Sequence, residues 1–126
     1  MESMELTWKA YGDVDPIAHG GTWVLPNKDS NVDFFIVRVI NLDSACGEQG
    51  FLVEDVRIDI TDFSEEDIKD VKSFIGADDS TENALIAIGI LEYYGPEHLG
   101  GNVTQIDTEE EAIIEIESHG IDIDVY

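Results

Sequence analysis

The sequence predicts a single domain, residues 1–126, of the α+β class, with a mainly antiparallel sheet of four to six strands and two or three helices. Three observations support this prediction. Strand-like alternation of apolar and polar residues dominates the first half of the chain, helix-like periodicity follows it, and the C-terminal segment mixes both patterns. The length of 126 residues and the hydrophobic share of 43% suit one domain with its own core.

Four segments of the first half are predicted to be strands: residues 4–10, 22–25, 34–42 and 53–60. The first and last of these alternate apolar and polar residues, as a strand with one buried face does. The third is apolar almost throughout, which is typical of a central strand buried on both faces. These strands, joined by loops rich in Gly, Asp and Asn, favour an antiparallel sheet.

Two helices are predicted next, over residues 64–75 and from residue 80 or 81 to residue 94. Ser64 has the side chain of a good N-cap, and Gly76 suits a left-handed helix end. The second helix is apolar on nearly all sides, so we expect it to be deeply buried. Gly89 within it is expected to permit the close approach of another element, at a cost of about 1 kcal/mol in helix propensity.

The C-terminal segment combines three predicted elements. Residues 103–106 form a short strand, and residues 121–125 alternate apolar and acidic residues as a strand does. Between them, Thr108 and Glu111 match the spacing of a capping box, which predicts a helix over residues 108–119. The β-branched, alternating centre of that segment leaves a strand as the open alternative.

Charge is the most unusual property of the sequence. It contains 29 acidic and 6 basic residues, for a net charge of −23 and a pI near 4.1. All six basic residues precede Ser73, so the segment from Ser73 to Tyr126 has carboxylates and no Lys or Arg. Self-repulsion of this size destabilises a folded state, and it argues against direct binding to nucleic acid or to an anionic membrane.

The sequence also suggests a compartment. Cys46 is a single cysteine, so no intrachain disulfide is possible. The first residues lack the basic and apolar regions of a signal peptide, and no apolar run reaches the roughly 20 residues of a membrane span. A cytoplasmic protein without membrane contact is therefore expected.

Catalytic and metal-binding patterns are weak. Cys46 lies beside a glycine in a loop, but no histidine is fixed near it, so a hydrolase using Cys46 or a carboxylate pair is a minor alternative. Asp13 and Asp15 begin like a calcium-binding loop, yet Ile17 and Ala18 occupy positions that need a ligand and a glycine. We expect no catalysis, no cofactor and no dedicated metal site.

The acidic residues of the second half are the remaining candidate site. Asp122 and Asp124 would lie about 6.7 Å apart on one face of a strand, a spacing similar to that of successive phosphates. Tyr93, Tyr94 and Tyr126 could add anchor contacts, although core packing is the stronger expectation for Tyr93 or Tyr94. The candidate partner-binding residues are Asp78, Asp79, Glu82, Glu109, Glu110, Glu111, Glu115, Glu117, Asp122 and Asp124.

In size, charge and scarcity of cysteine the chain resembles the DNA-mimic proteins of phages and mobile elements, which include anti-restriction and anti-CRISPR inhibitors. The resemblance lies in composition, without a shared motif. It implies an inhibitor that occupies the basic, nucleic-acid-binding surface of a partner protein such as a nuclease, and that does not itself bind nucleic acid. The alternative from composition is a generic acidic interaction domain from a salt-adapted organism.

Overall fold

Within the described residues, 8–12, 20–27, 31–43 and 47–121 of a computed structural model, five strands form one antiparallel sheet. The order of the strands across the sheet is their order along the chain. The elements are β1 (Lys9–Gly12), β2 (Gly21–Pro26), β3 (Asp33–Asn41), β4 (Phe51–Asp59), α1 (Glu65–Ile75), α2 (Asn83–Tyr94), β5 (Asn102–Ile106) and α3 (Glu109–Glu117). The predicted α+β class, with its antiparallel sheet and three helices, is confirmed.

The middle strand, β3, pairs with β2 on one side and β4 on the other. Its successive residues Ile36 and Val37 are both fully buried, and they point to opposite faces because side chains alternate along a strand. The prediction of a central strand buried on both faces is therefore confirmed, and both faces of the sheet must be covered by helices.

The two faces are covered by different helices. On one face, α1 and α2 pack over a core that includes Val24, Ile36 and Ile58, and we call this the α1–α2 layer. On the opposite face, α3 packs over a core that includes Trp23 and Val37, and we call this the α3 layer. The sheet therefore separates two helical layers that share no core cluster.

Helix α1 begins and ends as predicted. The backbone N–H of Asp67 donates to the Ser64 hydroxyl at 3.1 Å, which satisfies one of the unpaired donors of the first turn. Gly76 follows the last turn with φ of 69°, a left-handed conformation that costs glycine little. The apolar residue Val71 packs toward α2 and is fully buried.

Helix α2 begins later than predicted. Its first residue is Asn83, and Ser80 and Thr81 lie before it in a turn. The prediction of Ser80 or Thr81 as the helix start is wrong because Asp78 binds both residues in a turn. Its carboxylate accepts hydrogen bonds from the Ser80 backbone N–H at 2.9 Å and from the Ser80 hydroxyl at 2.6 Å, and its backbone N–H donates to the Thr81 hydroxyl at 3.1 Å.

Gly89 allows α1 and α2 to pack closely, as the sequence predicts. A Cβ atom at this position would lie 2.9 Å from Cγ2 of Ile75 and 3.2 Å from Cγ1 of Val71. Both neighbours belong to α1, so the missing side chain sets the distance between the two helices.

The C-terminal elements agree with the prediction where they are described. Residues 109–117 form a helix, so the strand alternative for this segment is wrong. Ile121 is buried but not in a strand, and residues 122–126, which hold the rest of the predicted last strand, lie outside the described residues. Residues 4–7 of the predicted first strand also lie outside them. None of the helices in the described part of the chain is long and apolar enough to cross a membrane.

Candidate protein-interaction surface

An N-terminal cap stabilises helix α3, and two buried residues attach the helix to the sheet. The Thr108 hydroxyl accepts a hydrogen bond from the Glu111 backbone N–H at 3.2 Å, and carboxylates in the first turn are favoured by the helix dipole. Ala112 and Ile116 are fully buried against the sheet. These contacts fix the orientation of the helix and of its acidic side chains.

The solvent-exposed side of α3 is acidic around one apolar residue. We define the α3 acidic face as Glu109, Glu110, Glu111, Ile114 and Glu117, all of which are exposed. Ile114 is 65% exposed and lies one turn from Glu110, Glu111 and Glu117. Among the described residues, no Lys or Arg forms an ion pair with any of these four glutamates. Their negative charge is therefore available to a partner.

Glu115 does not belong to this exposed face. Its Oε2 atom lies 3.7 Å from Nε2 of His119, and the Oδ2 atom of Asp55 lies 3.9 Å from the same nitrogen. The His119 ring also makes an edge contact with Phe35, with the ring centres 6.0 Å apart. Glu115 thus faces the boundary between α3 and the sheet rather than a partner.

Two further candidate carboxylates have local partners. Asp78 accepts the hydrogen bonds from Ser80 described above, and those bonds lower the pKa of its carboxyl. Glu82 accepts a hydrogen bond from the Tyr11 hydroxyl at 3.0 Å and lies 3.7 Å from Nζ of Lys9. Asp78 and Glu82 therefore support the turn before α2 and its attachment to β1. Both residues precede α2, which begins at Asn83.

The candidate residues do not form one surface. Asp78, Asp79 and Glu82 lie at the start of α2 in the α1–α2 layer, whereas the glutamates of residues 109–117 lie in the α3 layer across the sheet. Asp122 and Asp124 lie outside the described residues. The structure therefore brings together the α3 acidic face and separates it from the earlier group.

Sequence reasoning missed two exposed apolar features. One is Ile114, which the helical spacing places opposite Ala112 and Ile116. The other is at the ends of α1 and α2, where Phe74 is 56% and Tyr93 is 43% exposed. Tyr94 packs against the core of the α1–α2 layer, as expected for Tyr93 or Tyr94. Tyr93 follows the buried residues Gly89 and Ile90 at helical spacing, but it lies in the last turn of α2 and remains exposed.

One cavity among the described residues contains an ion pair. It has a volume of about 390 Å³ and is lined in part by Leu25, Phe35, Asp33 and Arg57. The Asp33 carboxylate accepts hydrogen bonds from the Arg57 guanidinium and from the Asn27 amide, the latter at 3.0 Å. The bonds from Arg57 are the largest cause that lowers the pKa of Asp33. An ionised, fully paired carboxylate of this kind is poorly suited to acid–base catalysis.

The Asp33→Asn variant is expected to reveal how much the Asp33–Arg57 pair contributes to the unfolding free energy, because that contribution depends on pH. Since the pKa of Asp33 is lower in the folded than in the unfolded state, the pair stabilises the protein above the usual Asp pKa of about 3.9. This stabilisation is lost as the pH falls through the folded-state pKa. The difference in unfolding free energy between wild type and variant should therefore shrink from about pH 7 to about pH 3 in urea titrations.

The Arg57→Gln variant provides the matched control, because it removes the other partner. It should show the same narrowing with pH, and in the Asp33→Asn background it should have little further effect. A wild-type advantage that stays constant across this pH range would contradict the assignment.

The hydrolase alternative depends on Cys46 or on a carboxylate pair. Cys46 lies outside the described residues. Of the described histidines, His98 stacks on Tyr94 and His119 lies between Asp55 and Glu115. No group of three or more His, Cys, Asp or Glu side chains in the described part of the chain is arranged to hold a metal ion.

Comparison with known proteins adds no relative from which a function could be transferred. No protein-family model matches the chain, and no curated protein or solved structure shows significant similarity to it. The function must therefore be argued from the surface itself.

Proposed function

We propose that this protein is a cytoplasmic inhibitor of the anti-CRISPR or anti-restriction type, which covers the basic nucleic-acid-binding surface of a partner protein through α3. The observation that carries the proposal is the α3 acidic face, a rigid helical surface with four exposed glutamates and no paired cation among the described residues. It has no catalytic role and no cofactor.

The spacing of the carboxylates suits a groove that binds phosphates. Glu110 and Glu117 are seven residues apart on one side of α3, which separates them by about 10.5 Å along the helix axis. Measured along the axis of a DNA duplex, this distance corresponds to about three base steps, with a rise of about 3.4 Å each. Carboxylates at the two ends of the face can therefore pair with Lys or Arg residues that otherwise contact separate phosphates.

Long-range electrostatic attraction also favours a partner with a basic surface. A net charge of −23 directs the protein toward positively charged surfaces and increases the association rate, most strongly at low ionic strength. Ile114, at the centre of the glutamates, offers an apolar contact that charge alone lacks. Interfaces typically combine such a central apolar contact with a polar rim.

A second candidate is the generic acidic interaction domain of a salt-adapted organism. One observation favours it: exposed acids also occupy the α1–α2 layer, including Glu65, Glu66 and Asp70 on α1. If this candidate is right, no single acidic face should dominate binding.

The deciding experiment compares two triple variants with equal changes in charge. Glu110→Gln/Glu111→Gln/Glu117→Gln neutralises the α3 acidic face, and Glu65→Gln/Glu66→Gln/Glu97→Gln neutralises exposed acids of the other layer. Each protein is immobilised, exposed to a cell lysate at low salt and eluted at high salt, and the eluted proteins are identified by mass spectrometry. Captured proteins are then tested for displacement by a short DNA duplex.

We expect wild type and the control triple to retain a nucleic-acid-binding protein that DNA displaces. The α3 triple should bind that protein about 10- to 100-fold more weakly, because each lost pair contributes about 0.5–1 kcal/mol. Equal loss in both triples would favour the generic acidic domain. Unchanged binding by the α3 triple would refute the proposal.

A further inference from the structure

An exposed aromatic cluster lies in the α1–α2 layer, away from α3. We define the aromatic cluster as Phe63, Phe74, Tyr93, Tyr94 and His98. Phe74 contacts Tyr93 with ring centres 5.3 Å apart, and Tyr93 contacts Tyr94 at 4.9 Å, both edge to face. Phe63 and His98 stack on Tyr94 at 5.6 and 5.5 Å. Tyr94 therefore links the five rings into one connected cluster, with Phe63 and Tyr94 half-buried at its inner end.

The outer end of this surface is open to solvent. Phe74 is 56% and Tyr93 is 43% exposed, although each ring is already held by its neighbour. Exposed rings in fixed positions lose little conformational entropy when a partner covers them, which is why aromatic residues are common binding anchors. Packing within the protein does not explain why these two rings remain uncovered.

Carboxylates border the aromatic cluster. Asp67, Asp70 and Phe74 follow one another at helical spacing on the same side of α1. Partial burial raises the pKa of the Tyr94 phenol first, and the negative charges of Asp67 and Asp70 raise it further. The two lysines of α1, Lys69 and Lys72, fall on the other side of the buried residue Val71 at helical spacing. The aromatic side of α1 is thus acidic without a neighbouring lysine from the same helix.

We propose that the aromatic cluster is a second docking surface, which binds an arginine-bearing segment of a partner protein. The planar guanidinium stacks on the exposed rings of Tyr93 and Phe74, and Asp67 or Asp70 pairs with its charge. Arginine fits better than lysine because a flat cation can stack on a ring and bond to a carboxylate at the same time. These residues lie across the sheet from α3, so this proposal can be tested independently of the function proposed above.

The test uses labelled peptides and the full chain. A short peptide of alternating arginine and glycine is titrated by fluorescence anisotropy, beside peptides in which lysine or the neutral isostere citrulline replaces arginine. Binding is mapped by amide chemical-shift changes in two-dimensional NMR spectra. We expect the arginine peptide to bind more tightly than the lysine peptide, citrulline to abolish binding, and shifts to centre on Phe74 and Tyr93.

Variants separate ring stacking from general attraction to an acidic protein. Phe74→Ala/Tyr93→Ala should lower the affinity for the arginine peptide about tenfold. Tyr93→Phe keeps the ring and should bind the peptide like wild type. Asp67→Asn/Asp70→Asn should weaken binding more than Glu110→Gln/Glu111→Gln, the matched change on α3. Because the two rings are exposed, the unfolding midpoints should stay close to wild type.

Two results would overturn this proposal. One is an affinity for the arginine peptide that Phe74→Ala/Tyr93→Ala leaves unchanged. The other is an equal loss from neutralising the α3 and α1 pairs, which would assign binding to overall charge. If the shifts centre on α3 instead, the aromatic docking surface is refuted while the function proposed for α3 remains supported.

Discussion

Replacing Glu54 with alanine is expected to destabilise the protein by about 3 kcal/mol. Glu54 is 5% exposed and lies directly opposite Arg38 in the β3–β4 ladder, where Nε of Arg38 donates to its Oε1 atom at 2.6 Å. The Glu54→Ala variant leaves the guanidinium, whose side chain is 18% exposed, without this partner. We use the lower end of the usual range for a broken buried pair, because Arg38 keeps some access to water. Urea unfolding followed by circular dichroism measures the change.

Glu110→Ala is the matched control, because it removes the same charge from an exposed position. It should change the unfolding free energy by no more than about 0.5 kcal/mol. Replacing both members of the pair, as Arg38→Leu/Glu54→Leu, should recover most of the loss, since an apolar pair leaves no unpaired charge. If Glu54→Ala and Glu110→Ala prove equally stable, the ion pair does not contribute as argued.

The Trp23→Ala variant is expected to lose about 3–5 kcal/mol, the usual cost of removing a large buried aromatic side chain. Trp23 is 2% exposed and belongs to the core under α3, together with Ala112 and Ile116. A cavity there also removes part of the surface on which α3 rests. We therefore expect weaker binding of any partner of the α3 acidic face, beside the lower unfolding free energy.

Trp23→Phe is the informative companion variant. The indole N–H of Trp23 is buried and has no hydrogen-bond partner among the described residues, so phenylalanine removes an unsatisfied donor along with some packing. The two effects oppose each other, and a loss of about 1 kcal/mol or less is expected. Losses of similar size in Trp23→Ala and Trp23→Phe would show that the indole, rather than the filled volume, stabilises this core.

The features that the sequence predicted correctly depend on neighbours within one turn. Ser64, Gly76 and Thr108 mark helix ends because the groups that they cap are three or four residues away. The prediction of the first residue of α2 was wrong for a related reason. Ser80 is a good cap by type, but Asp78, also a strong former of local hydrogen bonds, holds it in a turn.

The site was harder to predict than the fold because its residues depend on which face is buried. In a strand, Ile114 and Ile116 would share one face. In the helix that forms, Ile116 is fully buried and Ile114 is 65% exposed. The helix-or-strand ambiguity of this segment therefore concealed the apolar centre of the α3 acidic face.

The aromatic cluster and the separation of the acids depend on tertiary packing. Tyr94 of α2 stacks on Phe63, which lies before the start of α1, so the contact joins residues that are distant in the sequence. Similarly, no local pattern shows that α2 and α3 cover opposite faces of the sheet. The single acidic half of the sequence becomes two surfaces only after the chain has folded.

The match between strand order and chain order has a consequence for folding. Strands β1 to β4 pair with their neighbours in sequence, so this part of the sheet can form by successive local pairings without the residues after Asp59. Both helical layers come later in the chain, and until they dock, the two apolar faces of β3 are open to water. Such a partly formed sheet is prone to aggregation. The excess of acids, which destabilises the finished protein, is expected to keep these early chains apart.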